Sequence, residues 1–100
     1  MSIPNKDDEY LYNSEYYPQI SDIKVKVVQS KPNFIRLKVM DEEFLNKELS
    51  EARKHQREYN DWENTLELFP FVSREKDSLV KVFEVCIFSQ EEFDKKCTKL

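Results

Sequence analysis

The chain has no glycine in 100 residues, where average usage supplies about 7. Glycine lacks a Cβ, so it takes φ > 0 at little cost and lets backbone approach a ligand closely. Phosphate-cradling loops, dinucleotide fingerprints and the G-x-S-x-G nucleophile elbow depend on that freedom. None of them can be built from this sequence. The single histidine, His55, excludes a His-rich metal site and leaves acid–base chemistry to carboxylates and lysines. Spacing suggests no nucleophile–base pair, and neither an enzyme nor a cofactor is expected.

A chain this long is expected to form one domain and to bury roughly 60–70% of its unfolded surface, enough for a core without disulfides or metal. Twenty acidic residues against sixteen basic ones, for a net charge of −4, disfavour uniform attraction to nucleic acid or anionic lipid. Cys86 and Cys97 lack the spacing of a metal or redox motif and are expected to be free thiols. The stretch from Met1 to Glu9 has no apolar leader core, and no apolar run nears the ~20 residues of a membrane span. An intracellular location, cytoplasmic or nuclear, is expected.

Residues 1–20 read as an acidic arm carrying Tyr10, Tyr12, Tyr16 and Tyr17, ahead of a single domain over 21–100. Alternation then predicts a strand with Ile23, Val25 and Val27 on one face and a second strand with Ile35, Leu37 and Val39 on one face. Matching apolar to apolar pairs Val27 with Ile35, Val25 with Leu37 and Ile23 with Val39, leaving Gln29 to Asn33 as the loop. That register sets Lys26 opposite Arg36 and Lys24 opposite Lys38, which repel.

Asp41, Glu42 and Glu43 open a helix whose apolar stripe includes Phe44, Leu45, Leu49, Ala52, Tyr59 and Trp62. It is expected to end between Tyr59 and Glu63, because a rod running on to Phe69 outgrows a domain of this size. Thr65 to Phe69 then reads as a third strand, confined to an edge or bulge by Pro70. Leu79 to Phe88, apolar on both faces apart from Lys81 and Glu84, reads as a central fourth strand. Ser89, with Glu92 three residues on, is a capping box for a short terminal helix. The fold class is α+β, in the order β-β-α-β-β-α, with an antiparallel sheet packed on one main helix.

Two surfaces carry functional expectations. Phe69, Phe71, Val80, Val82, Cys86 and Phe88 are expected to share a second sheet face that one helix cannot cover. With the tyrosines of the arm, that face suits a partner protein or a second copy of the chain. This favours a non-enzymatic protein-binding module: a regulator, an inhibitor such as a phage or virus would encode, or a small subunit of a complex. The alternative is nucleic-acid or polyanion binding through Lys24, Lys26, Arg36 and Lys38 on the first hairpin. Against it, Glu67 and Glu84, expected on a common face if Leu68 pairs with Phe83, or the carboxylates of the arm, are placed to complement those cations.

Overall fold

Alternating apolar and charged residues form the predicted hairpin, β2 (Ile23–Lys31) and β3 (Phe34–Val39). The computed structural model describes residues 3–100; Met1 and Ser2, the first residues of the predicted arm and of the stretch read for a leader, lie outside the described residues. The hairpin register is two residues from the predicted one, with Val25 opposite Val39 and Val27 opposite Leu37. A shift of two keeps every side chain on its face, so apolar matching cannot distinguish the two registers. The turn decides. Pro32 and Asn33 alone connect the strands, because Pro32 presets φ for a tight turn, and an irregularity at Val28 takes up the odd residue. Lys26 therefore faces Lys38 instead of Arg36, which lies opposite Gln29.

Two flanking strands come from the arm and the carboxyl end. β1 (Glu9–Tyr12) pairs with β2, and β7 (Cys97–Lys99) pairs with β1. With β6 (Glu84–Ile87) on the other side of β3, they complete an antiparallel sheet of order β6-β3-β2-β1-β7. One face of this sheet is its core side: Val25, Val27, Ile35 and Leu37 are fully buried, with Ile23, Val39 and Ile87 nearly so. Ser89 caps α3 (Gln90–Lys96), its Oγ accepting from the Glu92 N–H at 3.1 Å. Phe93 of α3 meets Tyr10 edge-on, with ring centroids 4.9 Å apart.

Glu42–Phe83 forms a second compact unit. Its long helix, α1 (Glu42–Tyr59), ends within the predicted window, where Asn60 takes φ 48° and its N–H bonds the Gln56 carbonyl at 2.7 Å. Asn and Asp tolerate the left-handed region best after glycine. Asn60, Asp7 and Asp22 accordingly occupy three of the four positive-φ positions among the described residues, and Lys76 takes the fourth.

The predicted strand over Thr65–Phe69 is instead helical, α2 (Trp62–Leu68). Asp61 caps it, accepting from the Asn64 N–H at 3.1 Å, and Thr65 turns its hydroxyl onto the Asp61 carbonyl at 2.8 Å. Trp62, Thr65, Leu66 and Phe69 follow helical spacing, and that face overrides the β propensity of the segment. Leu68 consequently does not pair with Phe83.

The single strand predicted over Leu79–Phe88 is two strands in different sheets. β5 (Ser78–Lys81) forms a two-stranded sheet with β4 (Val72–Glu75), whereas β6 is an edge strand of the larger sheet. Such a run satisfies two cores in succession, Leu79 entering one and Ile87 the other. α1 packs on the β4–β5 hairpin: Ala52, Val72 and Leu79 form a buried cluster with Leu49, Trp62, Leu66 and Phe69 against it. The α+β class and the β-β-α-β-β-α order stand, with β1, α2, β6 and β7 added to β2-β3-α1-β4-β5-α3.

Candidate functional site

Opposite the core side of the five-stranded sheet lies a face open to solvent. Cross-strand partners point the same way in an antiparallel ladder. The pairs Leu11 with Lys24, Glu9 with Lys26, Lys26 with Lys38, Lys38 with Glu84, and Arg36 with Cys86 therefore define one surface. Lys24, Lys38, Glu84, Cys86 and Phe88 are exposed on it. All four predicted basic residues meet here, brought together by the two-residue period of β2 and β3.

Their charges are matched locally. Lys24 lies 3.2 Å from Glu9, Lys26 lies 3.8 Å from Asp7, and Arg36 lies 3.2 Å from Glu84. Each pair is solvent-exposed and worth about 0–1 kcal/mol. Together they offset the repulsion between Lys26 and Lys38, and four cations on the face meet three carboxylates.

At one end of this face stand two phenylalanines. Phe34 shares its strand face with Arg36 and Lys38, and Phe88 follows Ile87 at the end of edge strand β6. Their ring centroids lie 5.6 Å apart, and Phe88 is 65% exposed. Phe34 was legible in the alternation of β3, but its pairing with Phe88 required the β3–β6 ladder.

The predicted aromatic face does not form. Phe69 caps α2, Phe71 is buried with its ring 5.5 Å from Phe44, and Val80 and Val82 are half-buried in the same unit, while Cys86 and Phe88 belong to the larger sheet. The four tyrosines also separate. Tyr10 and Tyr12 lie opposite Val25 and Ile23 on the core side of the sheet, and burial raises both phenol pKa values above the ordinary range. Tyr17 is half-buried; Tyr16 is 80% exposed beside a cavity of about 240 Å³ shared with Ser89, Glu92 and Lys96.

The two thiols differ. Cys86 is exposed on the open face, whereas Cys97 is buried and its pKa is pushed up to about 12 by desolvation. His55 lies within α1, half-buried, with Nδ1 2.8 Å from the Thr65 hydroxyl and its ring 4.6 Å from Tyr59. Among the described residues, no group of His, Cys, Asp and Glu is placed to hold a metal ion, and no helix is long and apolar enough to cross a membrane. The chain matches no protein-family model, no curated protein and no solved structure.

Proposed function

We propose that the protein is a non-enzymatic protein-binding module, a regulator, inhibitor or small subunit, whose contact surface is the open face of the five-stranded sheet. The observation that carries this reading is the Phe34–Phe88 pair, one ring 65% exposed, on a face where three of the four cations lie against carboxylates. Aromatic anchors ringed by polar groups are the usual hot-spot arrangement of protein interfaces. The acidic arm takes part through Asp7 and Glu9, which neutralise Lys26 and Lys24. That neutralisation argues against the polyanion alternative, because cations already paired to carboxylates gain less from counterion release. An intracellular setting accords with the free cysteines.

Cys86 supplies a native handle for the test. A thiol-directed photo-crosslinker attached there should capture a specific partner, or a second copy, from a lysate of the source cells. Replacing Phe34 and Phe88 by Ser should abolish capture while the fold is retained. Crosslinking that is indifferent to both phenylalanines, or recovery of nucleic acid alone, would overturn the proposal.

A further inference from the structure

Three of the chain's four arginines gather around its one tryptophan in the unit built on α1 and the β4–β5 hairpin. Arg74 lies over the Trp62 ring, 4.2 Å from its centroid, and Arg53 and Arg57 line a cavity of about 200 Å³ that Trp62, Gln56 and Ser78 also line. The same two arginines line a second cavity, about 380 Å³, with Asn46 and Ser50. Arg53 and Arg57 are walls common to both, making a groove of two adjoining hollows of which the larger falls in the small-molecule range of roughly 300–1,000 Å³.

The charge pattern of the groove is unusual for an acidic chain. Arg53 and Arg57 stand one helical turn apart, where like charges repel. Leu49 and Ser50 precede Arg53, and Arg53 and Lys54 precede Arg57, so neither has a carboxylate three or four residues before it. Asp61, four residues after Arg57, is committed to capping α2. Arg53 donates one Nη to the Leu79 carbonyl at 3.4 Å, which anchors the side chain and leaves its other donors to the groove. The carboxylate lining the groove, Asp77, is 97% exposed and lies 3.7 Å from Arg74.

We propose that this groove binds a phosphomonoester carried on a planar ring, the chemical class of a nucleoside monophosphate. The phosphate sits between the Arg53 and Arg57 guanidinium groups, whose planar forks match its oxygens, with the neutral Ser78 hydroxyl beside it, the Gln56 amide already donating to Asn60 Oδ1 at 3.3 Å. The ring lies toward Trp62, since base–aromatic contact tolerates any base. A chain without glycine cannot wrap phosphate in a backbone loop, so side-chain forks are the route left to it. The proposal involves neither Phe34 nor Phe88 and does not depend on the protein-binding reading.

Trp62, the only tryptophan, reports on the groove directly. Its emission should change saturably on titration with adenosine monophosphate, and less readily with inorganic phosphate or adenosine alone. Arg57→Gln should weaken the nucleotide by roughly tenfold or more, the loss expected for a hydrogen bond to a charged group. Lys47→Gln, an equal charge change on α1 outside the groove, should leave binding as it was, and circular dichroism should show both variants folded. No emission response to the nucleotide overturns the proposal, as does an Arg57→Gln variant that binds as wild type. Phosphate binding as tightly as the nucleotide removes the ring from it, and adenosine binding as tightly as the nucleotide removes the arginines.

Discussion

Lys76 is the position where the lack of glycine costs most. It is the first of the two residues linking β4 to β5, and it holds φ 56°. A left-handed conformation costs an L-residue about 1–2 kcal/mol, and lysine has no short polar side chain to offset it locally. Lys76→Gly removes that cost but gives the unfolded chain extra freedom worth about 0.4–1 kcal/mol. Nothing else of weight is lost, because the side chain is exposed and only the backbone carbonyl is used, accepting from Arg74 Nε at 2.7 Å. The net gain is about 0.5–1 kcal/mol. At 4–8 °C per kcal/mol for a domain of this size, Tm should rise by about 2–8 °C. Urea melts at neutral pH should show a higher midpoint with an unchanged slope. Lys76→Ala controls for the lost charge: it keeps the Cβ and should stay within about 0.5 kcal/mol of wild type. A glycine variant no more stable than the alanine variant would refute the reasoning.

Four further outcomes are expected. The Lys96 ammonium donates to Glu92 Oε1 at 2.7 Å, a hydrogen bond that lowers the Glu92 pKa and raises that of Lys96. The pair should therefore stabilise α3 between about pH 4.3 and 10.4, losing its effect as acid protonates Glu92 through its lowered pKa and as base deprotonates Lys96 through its raised one. The stability difference between wild type and Lys96→Met, followed against pH, should vanish at both ends; a difference constant from pH 2 to 12 rules the pair out (about the ordinary titration limits). Leu37, fully buried in β3, should cost about 2–5 kcal/mol on replacement by Ala, and a denaturation shift below 1 kcal/mol (about the typical surface effect) would place it outside the core. Truncation through Tyr12 removes the strand that joins β7 to the sheet and should abolish a cooperative melt of that unit, so an unaltered Tm would show that β1 is dispensable. A maleimide should modify Cys86 in the native protein and Cys97 only after denaturation, since the latter is buried with its pKa near 12; equal rates would contradict that burial.

The sequence by itself determined what depends on near neighbours. Alternation marked the strands holding Val25 and Leu37, Ser89 and Glu92 marked the start of α3, and helical geometry set the end of α1 near Asn60. The basic residues of the candidate surface were legible for the same reason: Lys24, Lys26, Arg36 and Lys38 share a face by the two-residue period alone. Phe34 shares it too, but its significance depends on Phe88.

Choices with equal local merit were left to tertiary structure. A hairpin register shifted by two residues satisfies the same alternation, and only the Pro32–Asn33 turn with its compensating irregularity selects between them. Thr65 to Phe69 can read as strand or helix until Asp61 caps it and Trp62, Leu66 and Phe69 find the α1 side of the β4–β5 hairpin. The run from Leu79 to Phe88 contains no glycine or proline to mark its division between two sheets. Tyr10 and Tyr12 read as partner-binding candidates beside their carboxylates, yet β1 turns them onto the core side of the sheet, while Tyr16, beyond that strand, is exposed. In each case local pattern fixes which side chains share a face, whereas burial against residues distant in the chain decides which face is covered and which remains open for a partner.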